Sequence, residues 1–300
     1  MKKHSFFVRY ILTAATAGLL ACMPLGLLAD SASAPEPFAA QSLDAVAERL
    51  SGADVIILGE VHDNPEHHRN QAALITALQP TAVVWEMITQ EQADILTPEV
   101  LQDAAKTAAV LDWEESGWPA FALYAPVFKA AQQLPQFGAL VPRAASQAAL
   151  QAGVASHFGA DAARFGLDQA LPAAEQARRE ADQLANHCNA MPVEMLPMLV
   201  DFQRLRDTSL AAATERALQR ADGAAWGPVV VITGNGHARR DRGLSVYLSR
   251  AMPELEVLAL GQMEEGRIEG LFDITLSSPA TPRGDPCLAF TKPEQQRSTD

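Results

Sequence analysis

The sequence is short of basic residues, and it lacks the motifs of two common hydrolase classes. Lysine and arginine number 23 against 36 aspartates and glutamates, which gives a formal net charge of -13. An acidic surface repels phosphate backbones and anionic lipids, so we expect no nucleic-acid partner. The sequence contains no His-Glu-x-x-His to support a zincin-type mechanism and no Gly-x-Ser-x-Gly to support a serine triad.

A long apolar run, Tyr10 to Leu28, follows a basic segment at the amino terminus. This layout predicts a signal peptide over residues 1–34 and therefore an exported protein, either in the periplasm or anchored by lipid in the cell envelope. An uncleaved membrane anchor is the alternative. Leu19-Leu20-Ala21-Cys22 resembles a bacterial lipobox, so lipidation at Cys22 and cleavage further along the chain both stay open. After cleavage only Cys188 and Cys287 remain, and an oxidising compartment would allow them to pair.

Short apolar runs rich in β-branched residues predict an α/β fold with a mainly parallel sheet. Each run is continuous rather than alternating, which is typical of strands covered on both faces. The helix between the first two runs begins well, with Asn64 as N-cap and Pro65 at its first position. We predict strands at 54–58, 81–85, 137–141, 228–232, 255–260 and 270–276, and helices at 64–78, 144–155, 171–187 and 193–218.

The order of these elements predicts how the chain is divided. We assign residues 35–142 and 220–278 to the α/β ligand-binding domain, because the predicted strands lie there. Residues 143–219 form a smaller inserted helical subdomain. The polar, proline-rich stretch at 279–300 is predicted to be a flexible tail.

Chemistry-bearing residues follow three of the predicted strands. The first strand ends in Gly59-Glu-Val-His62, the second in Trp85-Glu86, and a later one in Gly234-Asn-Gly-His237. Ligands of parallel sheets settle beyond the carboxyl ends of the strands, so we expect His62, Glu86 and His237 to share one rim. The alternative is that these histidines are structural. A pair of Gly-x-x-His motifs is more specific than one, because each glycine allows a tight turn that aims a histidine into the crevice.

Neighbouring residues extend this candidate site. Glu60 is a site candidate, with a satisfied turn carboxylate as its alternative, and Gly234 brings the backbone close to a ligand. His67 and His68 lie in the first helical turn. They are site candidates, and an ordinary solvent-exposed helix start is an equally good interpretation. Arginines after the second motif are suited to charge-assisted bonds with carboxylates, and we select Arg239 and Arg240.

An aromatic stretch at 111–128 contains Tyr124, one of two tyrosines beyond the predicted signal; the other is Tyr247. One interpretation is an aromatic core beneath a helix. The other is an apolar wall for a flat ligand, with Tyr124 supplying an oxygen.

The chain resembles the ChaN-like haem-binding lipoproteins of bacteria. The motifs that carry the resemblance span about residues 46–260 and are GEVHDNPEHHRNQ, VVWEM, the stretch 113–130, FQRLRD at 202–207 and ITGNGHARRDRG. That family belongs to a wider set with paired Gly-x-x-His motifs, which includes the TraB/Tiki metalloproteases and the erythromycin-esterase-type hydrolases. The resemblance implies a parallel α/β domain with a smaller helical domain.

The same resemblance implies a haem site. It implies a homodimer that holds two stacked haems, each iron bound by one tyrosine and the propionates contacted by a histidine of the partner subunit. Tyrosine is a known haem ligand. We select Tyr124 as the iron ligand because it lies in a matching segment, with Tyr247 as the other candidate.

Two functions therefore share the same residues. The first is a non-enzymatic haem-binding protein of the cell envelope that serves haem or iron uptake or trafficking, with an outer-membrane uptake system as its expected partner. The second is a hydrolase in which Glu60, His62, Glu86 and His237 act in acid–base catalysis or hold a divalent metal such as zinc or manganese. A scaffold role is a third alternative, which the titratable groups at the strand ends disfavour.

Overall fold

The structure, a computed structural model, describes residues 42–219 and 228–290. The predicted signal with Cys22, and the last ten residues of the predicted tail, lie outside the described residues. None of the helices within the described ranges is long and apolar enough to cross a membrane.

Six parallel strands form one sheet in the order β3-β2-β4-β1-β5-β6. The predicted fold class is confirmed, and each predicted strand is present with its bounds shifted by a few residues. The strands are β1 Val55–Glu60, β2 Ala82–Trp85, β3 Gln136–Gly138, β4 Val229–Gly234, β5 Val257–Glu264 and β6 Ile274–Ser278.

Helices cover both faces of this sheet. The α-helices are α1 Leu43–Leu50, α2 Pro65–Leu78, α3 Gln90–Asp94, α4 Pro98–Leu101, α5 Ala104–Val110, α6 Phe121–Ala130, α7 Arg143–Ala152, α8 Val154–Phe158, α9 Ala162–Phe165, α10 Ala173–Asn186, α11 Leu196–Leu218, α12 Asn235–Ala238 and α13 Leu244–Ala251. Short 3-10 turns occupy Trp113–Glu115, Val193–Met195 and Pro286–Phe290.

The continuous apolar runs reflect two separate cores. On one face, Ile56 and Leu58 of β1 pack with side chains of α1, α2 and α6. On the other, Val55 and Ile57 pack with side chains of α11 and α13. Successive strand residues point to opposite faces, so a strand covered on both sides needs an apolar residue at every position.

Local sequence signals fix where α2 begins. The Asn64 side chain accepts a hydrogen bond from the Glu66 amide at 2.9 Å, and Pro65 occupies the first helical position, as predicted. Asn64 also donates to the Glu264 carboxylate at 2.7 Å, so the cap ties the start of α2 to the end of β5. The first turn of α2 therefore lies next to the end of β1, where His67 accepts a hydrogen bond from the Val61 amide.

The helices between β3 and β4 pack in two ways. One of them covers the sheet, and the others form a separate small core with it. Helix α11 packs against β2, β3, β4 and α13. Helices α7 to α9 meet α11 through a third, smaller core that includes Ala149 and Leu205. The predicted division into an α/β domain and a helical subdomain stays a prediction.

The segment that follows β6 is tied to the carboxyl ends of β1 and β5 and to the end of α10. Arg283 pairs with Asp63 and Glu264, and Cys287 forms a disulfide with Cys188 just beyond α10, with the two Cα atoms 5.5 Å apart. Residues 279–290, which the sequence assigns to a flexible tail, are thus anchored at two points. The pairing of the two cysteines, left open by the sequence, is present in the structure.

We expect the Cys188→Ser/Cys287→Ser double variant to lose about 2 to 5 kcal/mol of unfolding free energy, because the disulfide spans 99 residues of chain. Urea unfolding measures the difference. A reducing agent should lower the stability of the wild type toward that of the variant and leave the variant unchanged. Equal stabilities of the oxidised wild type and the variant would contradict the expectation.

Candidate functional site

The carboxyl ends of β2, β4 and β1 lie side by side and bring the predicted rim together. Glu60 at the end of β1 is in register with Gly234 at the end of β4. The Gly234 amide donates to Glu86 Oε2 at 2.7 Å, and His237 Nε2 lies 3.6 Å from Glu86 Oε1. His62 approaches the same point, because a Cβ atom added to Gly234 would lie 2.7 Å from its Nε2. The expectation that His62, Glu86 and His237 share one rim is confirmed.

Glu60 is a buried carboxylate surrounded by hydrogen-bond donors. Its Oε1 accepts from the Tyr124 hydroxyl and from His62 Nδ1, each at 2.8 Å, and its Oε2 accepts from Gln71 Nε2 at 2.8 Å. Burial raises the pKa of Glu60, but the bond from His62, the charges of His68 and His62, and the bond from Gln71 outweigh it, so the pKa lies below its ordinary value. Glu60 is therefore ionised and can only accept, which places the proton on His62 Nδ1.

His68 lies behind Glu60 and makes its firmest contact elsewhere. Its Nδ1 is 3.4 Å from Glu60 Oε2, but the geometry does not make this a hydrogen bond, and the buried Nδ1 has no hydrogen-bond partner among the described residues. Its Nε2 donates to the His62 carbonyl at 2.9 Å. His68 therefore holds the backbone at His62 in place.

Glu86 forms a second buried carboxylate on the opposite face of the sheet. It accepts from the Thr233 hydroxyl at 2.6 Å and pairs with the Arg206 guanidinium from α11. Burial raises the pKa of Glu86, but the charges of His237, Arg206 and His62 and the Thr233 bond lower it to about 2. Glu86 is thus ionised at neutral pH, with Arg206 as its cationic partner.

His62 is the most accessible titratable group between these carboxylates. Its side chain is 32% exposed, and its ring lies 4.9 Å from the ring of Trp118. Burial lowers the pKa of His62, but the bond to Glu60 and the charges of Glu86 and Glu60 raise it above its ordinary value, against the opposing charge of Arg206. The site thus holds a partly exposed imidazole whose Nδ1 carries a proton that is bonded to Glu60.

His237 also bonds to a carboxylate, but its side chain is less exposed than that of His62. Its Nδ1 donates to Asp207 Oδ1 at 2.7 Å, and the side chain is 6% exposed. It lines a small cavity of about 90 Å³ beneath α10. A larger crevice of about 580 Å³ shares Gly236 and Arg239 with it and extends to the loop at 266–269.

Several predicted site residues point away from this rim. Both ring nitrogens of His67 are engaged, since Nδ1 accepts from the Val61 amide at 2.9 Å and Nε2 donates to Ser278 Oγ at 2.9 Å. His67 and His68 are 1% and 0% exposed, so the helix start is not solvated. Arg240 bonds to the Val257 carbonyl at the amino end of β5. The structure therefore does not bring His67 or Arg240 to the rim.

Arg239 reaches the crevice with its charge already paired. Its guanidinium donates to Asp241 at 3.0 and 2.6 Å, while the side chain lines both cavities. Of the two arginines selected from the sequence, only Arg239 lies where its guanidinium could contact a carboxylate of a ligand.

The aromatic stretch is mostly core. Tyr124 is 0% exposed, and its ring lies 4.3 Å from His68 and 4.9 Å from Trp113. Burial raises the pKa of the Tyr124 hydroxyl, as do the charge and hydrogen bond of Glu60, which disfavours a tyrosinate. Tyr247 is 2% exposed on the other face of the sheet. In this conformation neither tyrosine fits the requirement of an open oxygen ligand. Of the stretch, Trp118 lies beside the His62 ring, and the Tyr124 hydroxyl reaches Glu60 and His62 Nδ1 from the interior, at 2.8 and 3.2 Å.

Sequence reasoning missed three groups that complete the site. Arg206 and Asp207 come from α11, and Gln71 comes from α2. Gln71 is the last residue of the GEVHDNPEHHRNQ motif, but the motif does not show that its side chain faces Glu60. Arg206 and Asp207 lie in the FQRLRD segment, and its charged residues were the signal, but the pattern does not say which of them face the strand ends.

Metal ligation by side-chain clusters has no support in the described part of the chain. No group of three or more histidine, cysteine, aspartate or glutamate side chains there has the arrangement needed to hold a metal ion. The side-chain geometry of the described residues therefore does not support a hydrolase that uses zinc or manganese.

His67 should make stability depend on pH. Burial lowers the pKa of His67 to about 4, so its neutral form is favoured in the folded protein; its contribution is complete above the ordinary value of 6.5 and is lost as the pH falls from 6.5 to about 4. The shift corresponds to at most about 3 kcal/mol. We expect His67→Gln to flatten the fall in unfolding free energy across this window, as measured by urea unfolding.

The exposed His157 on α8 offers a matched control, because His157→Gln removes the same kind of group from the surface. That variant should keep the wild-type pH profile. If His67→Gln has the same slope as the wild type between pH 6.5 and 4, the buried ring does not control the acid response.

Comparisons with known proteins give one family match and two solved structures. The family model described as "Haem-binding uptake, Tiki superfamily, ChaN" matches residues 46–248. A comparison with curated proteins finds no match. Among solved structures, "Cofacial heme binding to ChaN of Campylobacter jejuni" is similar with a TM-score of 0.57 and 18% identity, covering 76% of this chain and 88% of that chain. The type III effector HopBA1 has a TM-score of 0.42 and 14% identity, covering 80% and 94%. With its family match over most of the chain, the protein belongs to the ChaN family of haem-binding uptake proteins in the Tiki superfamily.

Proposed function

We propose that this protein is exported to the cell envelope and binds haem at the carboxyl ends of its strands, in haem or iron uptake or trafficking. Family membership supports haem as the ligand. The observation that supports this location is the partly exposed His62 imidazole beside the Trp118 ring, with the Arg206 guanidinium close enough to affect the pKa of His62.

These groups suit the parts of a haem molecule. A porphyrin needs an apolar surface for its ring, which Trp118 offers, and a cation for its propionates. Arg206 is 23% exposed, so its guanidinium can contact a carboxylate while it keeps its bond to Glu86. Charge-assisted bonds of this kind are about twice as strong as neutral ones.

A homodimer belongs to the same proposal. The similar Campylobacter jejuni structure is described as cofacial haem binding, which requires two haems to face each other. Trp118 and His62 are both partly exposed, so a second subunit would complete the enclosure of the ring. Haem would reach the site from an outer-membrane haem or iron uptake system, and the amino-terminal signal with Cys22 would set whether the protein is lipid-anchored.

A hydrolase using the same residues remains the second candidate. The arrangement that favours it is a pair of histidines, His62 and His237, each bonded to a buried carboxylate, Glu60 and Asp207. A carboxylate that holds one ring nitrogen orients a histidine for proton transfer at the other. Glu86 lies between them and is ionised. In this form the chemistry is acid–base and needs no metal.

We expect hemin to bind the purified wild-type protein saturably, and Trp118→Ala to weaken binding about tenfold because the porphyrin loses its aromatic wall. Absorbance titration measures both affinities. Leu271→Ala is the control, because Leu271 is an exposed apolar residue, 65% accessible, that precedes the edge strand β6. Trp118 instead bonds to the Met87 carbonyl just after β2, four strands away in the sheet order. Light scattering with and without hemin tests the dimer.

Absence of saturable hemin binding by the wild type would reject the haem proposal. If the same protein hydrolyses a p-nitrophenyl ester, and His62→Ala abolishes that activity, the acid–base alternative takes its place. Equal losses in Trp118→Ala and Leu271→Ala would show that Trp118 is not a specific contact of the haem.

A further inference from the structure

We propose that the protein has a second binding site, beneath α10 and beside His237, that takes the carboxylate group of an organic acid with an apolar body. The site consists of the cavity of about 90 Å³ and the adjoining crevice of about 580 Å³. Among the described residues, neither His62 nor Trp118 lines either space. The inference therefore goes beyond the proposed haem site and does not depend on it.

Arg179 on α10 is a nearly buried cation with unused donors. It lines the inner cavity and is only 7% exposed. Its Nε donates to Glu175 Oε1 at 2.7 Å, whereas its two terminal nitrogens make no hydrogen bond to any residue that the structure describes. Glu175 also pairs with Arg178, so one carboxylate serves two guanidinium groups. Buried charges are normally paired, so a carboxylate that entered the cavity would give Arg179 a partner of its own.

Two further arginines bring positive charge to the same cavity. Arg242 pairs with Asp182, and Arg239 is held by Asp241, which is not one of the lining residues. Gly270 leaves the space that the Arg239 side chain occupies, because a Cβ atom there would overlap it. The guanidinium group suits a carboxylate because its N–H groups form two parallel charge-assisted bonds.

The acidic residues of the lining limit the charge of the ligand. Asp182, Asp207 and Glu269 also line the cavity, so three acids balance its three arginines. Asp182 is paired with Arg242, and Asp207 accepts from His237 Nδ1 at 2.7 Å. Like charges repel, so a second negative charge on the ligand would be opposed by these carboxylates. We therefore expect a monocarboxylate rather than a phosphate dianion.

The outer crevice has room for the rest of such a ligand. It shares Gly236 and Arg239 with the inner cavity, so the two spaces adjoin. Val61 and Ile268 contribute apolar side chains to its lining, and Gly266 contributes no side chain. Ligand sites typically combine an apolar wall with a few polar groups that fix orientation. An acid whose carboxylate reaches the inner cavity can thus lay its apolar body along the crevice.

The first test is a calorimetric titration of the wild-type protein with hexanoate, with hexanol and inorganic phosphate as comparison ligands. We expect saturable binding of hexanoate. Hexanol should bind at least about tenfold more weakly, because it lacks the charge that the guanidinium groups recognise. Phosphate should also bind more weakly, because the acidic lining opposes its second charge.

Two pairs of variants locate the site. Arg179→Lys keeps the charge but removes the planar pair of donors, and should weaken hexanoate binding about tenfold. Arg178→Lys is its matched control, because Arg178 bonds to the same Glu175 but is 68% exposed and is not a lining residue. Gly236→Leu should also weaken binding, because its side chain takes up open space: no atom lies within 4 Å of the Cβ position. Gly284→Leu, at a second glycine with nothing within that distance, should bind hexanoate normally.

The outcomes are distinct. The proposal is overturned if the wild type shows no saturable hexanoate binding, if phosphate binds more tightly, or if each variant and its control weaken binding equally. Displacement of hexanoate by hemin but not by hemin dimethyl ester would make a haem propionate the occupant. Undiminished hexanoate binding in the presence of hemin would make a separate organic acid the occupant. If hemin does not bind at all, the haem proposal fails and this site stands. The wild-type titration and Gly236→Leu decide the matter even if Arg179→Lys does not fold.

Discussion

The burial of an ionised carboxylate at the end of β1 is the constraint on which the site depends. A charge removed from water must be matched by donors, or the folded state loses several kcal/mol. Glu60 meets this demand with Tyr124 from α6, Gln71 from α2 and His62 from its own strand end. One side chain therefore ties two helices to the sheet. The orientation of the His62 imidazole follows from the same bonds.

The two Gly-x-x-His motifs serve opposite faces of one sheet. Glu60 and Tyr124 belong to the layer of α2 and α6, whereas Asp207 and Arg206 belong to α11 on the other side. The two layers meet only beyond the strand ends, where Gly234 has no side chain to keep them apart. A polar cluster of this kind can exist in an α/β fold only at that edge, since both faces along the strands are filled by apolar side chains.

Much of the fold was readable because strand and helix signals are local. Continuous apolar runs, the Asn64–Pro65 helix start and the strand-end glycines each depend on a few adjacent residues, and the structure agrees with them. Side-chain direction was harder to read. Tyr124 belongs to the aromatic segment in either interpretation, but whether it faces a ligand or the core is set by how α6 lies on α2. Likewise α11 buries charged Arg204 and Asp207 among apolar residues, so its pattern does not reveal which side meets the strand ends.

The Cys188–Cys287 bond has a consequence for how the molecule is made. One of its sulfurs follows β6, the last strand of the sheet in chain order, so both partners exist only after all six strands have been synthesised. Oxidation can therefore close this ring only after the chain of the whole sheet has been made. A truncated or prematurely terminated chain would lack this closure altogether.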